Sequence, residues 1–407
     1  MKHSSTHSVS VFFKPWNVIF LDHCARMGGG EIALLHLVEE LDVSRVRPFV
    51  LLGEEGLLRL ELERTGVDCQ CLHIPVRLNG IHRHEVLRKG FCEPSSLPRL
   101  LKTSLCVARH ALMKRALLLH CNSLKADVIG GIAGKMANVR VVWHMRDRLH
   151  AGYMPHAVCR IFRSLSHIIP DGVIANSCST MLSLFPEENI ASAPSLQCRE
   201  VIHDGVPLSA FVLQRPVRRD CELTVGMIGR IAPWKGQRVF IEAAKEIHSR
   251  FPEVRFEIVG GALFGEEDYE REISDMVTGE SSEYIRFLGY LPNPAEVMRG
   301  FDVLVHASII GEPFGQVVIE AMASGIPVVA TNGGGIPEII THGENGLLAE
   351  MGNFRDLANC MEMLITDPDL RAELAKSGRE CVLERFTACR VARKVEMFYD
   401  HLLNASD

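Results

Sequence analysis

The stretch Pro207-Leu-Ser-Ala-Phe-Val-Leu-Gln-Arg-Pro-Val-Arg-Arg-Asp-Cys-Glu-Leu-Thr-Val-Gly-Met-Ile-Gly-Arg230 decides the fold. Up to Asp220 it has no periodicity, carries Pro207 and Pro216, and ends in the charged run Arg215 to Asp220. A fresh apolar strand then begins at Leu223 and runs to Ile228, so residues 208–220 read as a linker and Leu223 as the first strand of a new domain. The length agrees: 407 residues are more than twice the ~150 of an ordinary domain.

Working upstream, β-branched runs alternate with amphipathic stretches. Asn17 to Leu21, Pro48 to Leu52, Leu117 to His120, Arg140 to His144 and Glu200 to His203 read as strands, and so does Ser164 to His167 leading into Gly172 to Ala175. Glu31 to Leu41 and Lys125 to Met136 read as helices between them. Downstream the grammar restarts: helix Gly236 to Arg250, strand Val254 to Val259, acidic helix Glu266 to Met276, strand Ile285 to Leu288, helix Pro294 to Arg299 and strand Val303 to His306. Helix Gln316 to Ser324, strand Pro327 to Ala330, helix Ile336 to Ile340 and strand Gly346 to Leu348 follow, then helices from Asn353, Asp369 and Ala388. Such alternation specifies an α/β chain of two facing Rossmann-like domains: 1–207, then 221–386 beyond the linker, with a closing helix in 387–407. Ligands of such sheets sit at the carboxyl ends of the strands, which puts the site in the interdomain cleft.

Composition narrows the class. Hydrophobic residues at 47% and charged residues at 23% are globular values, and 44 Lys and Arg against 50 Asp and Glu argue against a nucleic-acid binder. Thirteen cysteines without a C-x-x-C pair indicate neither zinc nor a disulfide framework. No signal-like start and no run of 18 apolar residues occurs, so the expected location is the cytoplasm.

Four segments carry candidate chemistry. Glu312-Pro-Phe-Gly-Gln-Val-Val-Ile-Glu320 places one carboxylate on the loop after a strand and a second inside the following helix. The N–H groups of Gln316, Val317 and Val318 at that helix start suit a diphosphate, while the acids suit sugar hydroxyls; the plain alternative is that both acids only complement the helix dipole. Gly229-Arg230-Ile-Ala-Pro-Trp-Lys235-Gly236 follows the first strand of the second domain and brings two cations to the strand ends. Gly28-Gly29-Gly30-Glu31 would let backbone approach a ligand closely, and Gly28-x-Gly30-x-x-Ala33 with Glu54 even fits a degenerate dinucleotide fingerprint. The fourth is Val141-Val-Trp-His144-Met-Arg-Asp147, whose histidine ends a strand.

Taken together, these residues resemble the retaining glycosyltransferases of the GT-B fold, family 4, also called the glycosyltransferase group 1 family. The resemblance is carried by Gly229-Arg230-x5-Gly236, by Glu312-x7-Glu320 with Ala321 to Ala330, and by Gly333-Gly-Gly-Ile-Pro-Glu-Ile-Ile340. Before residue 207 it rests on Gly28 to Glu31 and His144. It implies a metal-independent enzyme without a cofactor beyond its donor, which moves a sugar from a nucleotide-diphosphate sugar to a hydroxyl acceptor in polysaccharide, glycolipid or glycosylated-metabolite assembly. Arg230 and Lys235 would then hold the diphosphate, Glu312 the sugar hydroxyls, and Glu320 the ribose. Phe314, Gly315, Gln316 and Val317 would cradle sugar and phosphate with their backbone, and Tyr290 and Leu291 would lie against the base. Gly29 and Gly30 would close on the diphosphate from the other domain, and His144 would contact the sugar near the anomeric centre. Retention would follow a front-face path in which the leaving phosphate helps deprotonate the acceptor, unlike the two-carboxylate glycosidase scheme.

Two departures from the family pattern are visible. His203-Asp204-Gly-Val-Pro207 stands where Asn-Gly-Val-Asp is common, and Pro313 stiffens a loop that more often reads Glu-Gly-Phe-Gly. Residues 81–119 hold eight Arg and Lys against two Glu, with Leu97, Leu100, Leu101, Leu105, Leu112 and Leu119 interleaved. A helix over 97–119 would either rest on the inner face of an anionic membrane beside a lipid-linked acceptor or turn an ordinary polar face to water. The competing functions are a nucleotide-sugar epimerase of the same fold, a non-catalytic sugar-nucleotide binder, and a nicotinamide oxidoreductase.

Overall fold

Short strands whose side chains are buried on both faces can be covered only by helices packed above and below them, and that requirement builds both halves of this molecule. The computed structural model describes residues 14–72, 96–150, 152, 154–186, 198–207, 223–263, 265–291 and 293–404. The first half runs β1 (Trp16–Asp22), α1 (Gly29–Glu40), β2 (Val46–Leu52), α2 (Leu57–Thr65), β3 (Cys69–Cys71), α3 (Ser96–Met113), β4 (Leu118–Cys121) and α4 (Leu124–Ala137). It continues with β5 (Arg140–Met145), α5 (His156–Ser166), β6 (Gly172–Ala175), α6 (Cys178–Leu184) and β7 (Cys198–Val201). These strands form one parallel sheet in the order β3-β2-β1-β4-β5-β6-β7, so the order reverses between β1 and β4.

The second half repeats the plan with β8 (Thr224–Ile228), α7 (Gln237–His248), β9 (Arg255–Val259), α8 (Glu267–Asp275), α9 (Ser281–Tyr284), β10 (Ile285–Gly289), α10 (Pro294–Met298) and β11 (Val303–His306). Then come α11 (Gln316–Ala323), β12 (Val328–Thr331), β13 (Leu347–Ala349), α12 (Phe354–Thr366), α13 (Pro368–Arg385) and α14 (Ala388–Asn404). Its parallel sheet has the order β10-β9-β8-β11-β12-β13, with the reversal between β8 and β11. In both sheets the reversal opens a crevice at the carboxyl ends of the central strands.

The chain passes between the halves at two adjacent places. Val206 pairs with Thr387, and the amides of Val206 and Ala388 bond to Phe386 and Val206 carbonyls at 3.0 and 3.1 Å. Beyond that point α14 lies on the first half, where Val391, Val395, Phe398, Tyr399 and Leu402 join one apolar cluster with Val18, Phe20 and Leu34. The linker expected at 208–220 falls outside the described residues.

Three readings of the sequence are corrected. Residues up to Ser166 close α5, whose Val158, Cys159, Phe162 and Ser166 are buried at helical spacing, and do not lead into β6. Ile336 begins a three-residue 3-10 turn, Ile336–Glu338, rather than a helix reaching Ile340. The basic helix ends at Met113, and Leu119 is a fully buried strand residue of β4.

The helix covers the sheet with its smaller residues and leaves leucines on its outer face. Val107, Ala108 and Ala111 of α3 pack into the core, while Leu97, Leu101, Leu105 and Leu112 face outward at 59, 40, 51 and 60% exposure. Arg83, Arg88 and Lys89 lie outside the described residues.

Candidate active site

The second-domain wall of the crevice is built around Glu312. β11 delivers His306 and, two residues on, Ser308; the turn after β8 delivers Lys235 from a 3-10 turn, Pro233–Lys235. All three meet the same oxygen, Oε1 of Glu312: Lys235 Nζ at 2.5 Å, Ser308 Oγ at 2.6 Å and His306 Nε2 at 3.0 Å. Burial raises the pKa of this carboxyl, but the Lys235 charge and His306 outweigh it and hold the group well below the usual carboxylate range. Glu312 is therefore ionised, with Oε2 open as an acceptor. Arg230 lies at the same strand end, 3.4 Å from Glu266, and its carbonyl accepts a bond from Gln237 at 2.9 Å that fixes the turn.

Two glycines make this arrangement possible. Gly315, which caps α11, has φ +136°, and a Cβ there would stand 2.6 Å from Ile336. Gly334 has φ +65°, and its Cβ would fall 2.1 Å from the Glu312 carbonyl oxygen. The triple glycine at 333–335 thus lets the β12 loop lie directly on the Glu312 loop, which it pairs with at Gly334 and Gly335.

α11 starts at Gln316, whose side-chain Nε2 donates to Glu320 Oε1 at 3.2 Å. Burial pushes the Glu320 carboxyl up to about 7. Phe314 is buried and stacks on His203 at 5.5 Å, while Tyr290 is 48% exposed beside Gly261 and Leu291 is partly buried. The backbone at Phe314 to Val317 therefore lines the helix start, with Tyr290 and Leu291 at the end of β10.

The facing wall is assembled from polar residues at or just past the ends of β1, β4, β5, β6 and β7. Asn122, after β4, donates to Asp22 at 2.7 Å and to the Gly30 carbonyl at 3.1 Å, and accepts from Arg146 Nε at 2.8 Å. Arg146 in turn binds Asp204, which also accepts from Asn176 at 3.0 Å. Asp22, Asn122, Arg146, Asn176 and Asp204 are all buried. Burial lowers the Arg146 pKa to about 9 despite the Asp22 and Glu31 charges, so the guanidinium stays charged at neutral pH. His144 is fully buried behind this network, within hydrogen-bond distance of His120 and Arg146.

The two walls meet where the glycines and α11 come together. A Cβ on Gly29 would stand 3.9 Å from Gln316 Cβ, and one on Gly30 would stand 3.6 Å from Arg146. Alongside, Pro313 O accepts from Ser177 and Thr180 at 2.5 and 3.2 Å, Arg148 donates to Gly311 O at 2.8 Å, and Glu338 accepts from the α6 amides of Cys178 and Ser179 at 2.8 and 2.9 Å. The structure thus gathers Glu312, Lys235, Gln316 and Gly29 into one crevice. His144 sits at depth behind Gly30 and Arg146 rather than on an open surface. Sequence reasoning passed over His306, Ser308, Asp22 and Asn122 and met Asp204 only as a departure from the family pattern; the readable signal was a polar residue at or just past the carboxyl end of an apolar strand.

The acid that a dinucleotide fingerprint would need, Glu54, is instead paired with Arg26 at 3.2 Å and accepts from Cys24. Among the described residues, no group of three or more His, Cys, Asp or Glu is arranged to hold a metal ion, and no helix is long and apolar enough to cross a membrane.

Residues 213–381 match the family model of glycosyl transferases group 1. The chain is 36% identical over 119 residues to N-acetyl-alpha-D-glucosaminyl L-malate synthase of Bacillus anthracis, covering 29% of this chain and 31% of that protein. It is 34% identical over 180 residues to phosphatidyl-myo-inositol mannosyltransferase of Mycobacterium leprae, covering 44% and 46%. The chain thus spans between about a third and a half of the length of these curated relatives. Among solved structures, Anabaena HepE in complex with UDP and glucose superposes with a TM-score of 0.78 at 26% identity, over 94% of this chain and 99% of that one. Sucrose-phosphate synthase of Thermosynechococcus elongatus shares the fold, with a TM-score of 0.76 at 19% identity over 96% and 100%. The two facing Rossmann-like halves are the GT-B architecture.

Proposed function

From a chain that belongs, through residues 213–381, to the group 1 glycosyl transferases, we propose a retaining, metal-independent transfer of a sugar from a nucleotide-diphosphate sugar to a hydroxyl acceptor. The observation that carries this reading is the Glu312 cluster: an ionised carboxylate with three partners on Oε1 and Oε2 left over, beside the start of α11 and opposite Gly29. Oε2 suits a sugar hydroxyl. The Gln316 and Val317 amides at the start of α11 and the cations Lys235 and Arg230 suit a diphosphate, whose charge grows as the nucleotide leaves, whereas the Val318 amide is already bonded to the Gly315 carbonyl at 3.0 Å. Glu320, half-buried one turn into the helix, would take the ribose, and Tyr290 with Leu291 the base.

In this scheme Glu312 orients the sugar and is not a nucleophile. The leaving phosphate takes the proton of the acceptor hydroxyl as the new glycosidic bond forms on the same face, so configuration is kept. The relatives and HepE, whose names include a malate glycoside, an inositol lipid and a UDP complex, support a nucleotide-sugar donor without choosing the acceptor.

The outward leucines of α3, flanked by Lys102, Arg109 and Lys114, favour an acceptor presented at an anionic membrane surface. The test is to incubate the purified protein with uridine, guanosine and adenosine diphosphate sugars, then with soluble and lipid hydroxyl acceptors. Transfer with retained anomeric configuration is expected. A donor epimerised without any acceptor would establish the epimerase instead, and no binding of any donor would overturn the reading.

A further inference from the structure

Behind His144 runs a chain of buried polar groups that comes from the far end of the sequence. Tyr399 of α14 places its hydroxyl 2.6 Å from His120 Nδ1, and His120 Nε2 lies 3.0 Å from His144 Nδ1. Arg146 Nη2 reaches that same His144 Nδ1 at 3.4 Å. Tyr399, His120 and His144 are fully buried, and among the described residues His144 Nε2 has no partner.

The direction of every bond in this chain follows from one fact. A guanidinium only donates, so His144 Nδ1 must be an acceptor. His120 Nε2 must then carry the proton it offers to that nitrogen. His120 Nδ1, lacking a proton, accepts from the tyrosine hydroxyl. Burial supports neutral rings throughout, since it lowers His120 to about 3, keeps His144 well below its ordinary value, and holds the Tyr399 phenol protonated. With Nδ1 occupied as an acceptor, the His144 proton sits on Nε2.

We propose that Tyr399, acting through His120, is a positioning residue that fixes His144 as an Nε2–H donor reserved for an oxygen of the bound donor sugar. This rests on the transferase reading above and sharpens it: His144 would supply a hydrogen bond to the sugar and would not act as a base. It also gives the returning helix α14 a part in the site, because that helix carries the first link of the chain across the domain boundary.

The test has two arms. In protein labelled with 15N-histidine, long-range proton–nitrogen spectra, assigned with His120→Gln and His144→Gln, should show both rings neutral with the proton on Nε2. A proton on His144 Nδ1, or an imidazolium, would overturn the proposal. In the kinetic arm, Tyr399→Phe should lower kcat roughly ten-fold with the donor KM nearly unchanged, as for one misdirected hydrogen bond. His120→Gln, whose amide can still donate to His144 Nδ1, should lose less than His120→Leu, which cannot. Equal losses for the glutamine and leucine variants, or a changed melting temperature with unchanged kcat in Tyr399→Phe, would reduce the chain to packing. The spectra need no substrate, so a protein that shows both Nε2–H rings yet binds no nucleotide sugar would sink the transferase reading and leave the ring assignment standing.

Discussion

The two walls of the crevice solve opposite electrostatic problems. On the second-domain side, one short loop and one turn place Lys235, His306 and Ser308 on a single oxygen of Glu312, so the charge is balanced locally and one acceptor is left over. On the first-domain side, Asp22, Asn122, Arg146, Asn176 and Asp204 come from the ends of separate strands, and the whole set is buried. The first arrangement is ready to exchange partners with a ligand. The second is a scaffold: it holds Gly30 and His144 in place, and its charges cannot be rearranged without exposing an unpaired ion. Predictions that separate these roles run from the scaffold, where stability is at stake, to the exchangeable wall, where activity is.

The largest effect is expected for Arg146→Met. It leaves Asp204 buried without its cation and Asn122 without a donor, a change that costs about 3–5 kcal/mol when one partner of a buried pair is removed. Urea unfolding followed by far-ultraviolet circular dichroism should show the loss. Arg238→Ala, which removes the exposed pair with Glu272, should change stability by less than ~1 kcal/mol. If the two variants unfold alike, the first wall is not a scaffold.

Next comes Glu312→Gln, which keeps the shape of the side chain and an oxygen for Ser308 but removes the charge. Turnover with the identified donor should drop about a hundred-fold, the scale for deleting one oriented electrostatic contact at a reacting centre. The pH dependence has a definite sign. Glu312 is held below the usual carboxylate range in the folded protein, so its contribution is complete above the unfolded value and is lost as pH falls below it. The stability of the native protein relative to Glu312→Gln should therefore be level near neutrality and shrink on acidification. Paired thermal melts would show this, and a gap that widened in acid would contradict the ionised assignment.

What could be read from the sequence follows the same division. The second-domain wall is local in sequence: Gly229 to Gly236 and Glu312 to Glu320 each sit within one strand-to-helix turn, and strand ends locate them. His306 and Ser308 were missed because one reads as the last residue of an apolar strand and the other as an ordinary loop serine; only the fold shows that both turn toward Glu312. The first-domain wall joins residues such as Asp22, Asn122, Arg146 and Asp204, and Tyr399 reaches His120 across 279 positions. No spacing rule connects residues brought together by sheet order, so His144 could be placed at a strand end but its depth and partners could not. The helices α2 and α6 are missed because they are short, and α5 because its last residues, Ser164 to Ser166, read as a lead into the strand at Gly172.

Glycines test the comparison at smaller cost. Gly334→Ala puts a Cβ against the Glu312 carbonyl at positive φ and should destabilise by about 2 kcal/mol, visible as a lowered melting temperature. Gly29→Ala opens α1 at an unstrained position whose Cβ would only touch Gln316 at 3.9 Å, so stability should hold or rise slightly. Its turnover should still fall several-fold, because the methyl occupies the space through which the two walls reach a shared ligand. A Gly29→Ala variant with full activity would show that this glycine serves the turn and not the crevice.

The smallest effect belongs to Glu320. Burial raises its carboxyl from an ordinary value near 4.5 to about 7, so the folded protein holds a proton there that the unfolded chain has already released. Where the native state binds more protons, stability falls as pH rises, and here the window is about 4.5 to 7. Glu320→Gln has no proton to lose, so its melting temperature should gain on that of the native protein across this window and run parallel to it above pH 7. A nucleotide diphosphate that bonds its ribose to the ionised carboxylate would bind more tightly as pH rises through about 7 in the native protein and not in the variant. Titration calorimetry with the bare nucleotide, at pH values on either side of 7, separates the two: a pH-independent affinity in the native protein would remove Glu320 from the ribose site while leaving its effect on stability intact.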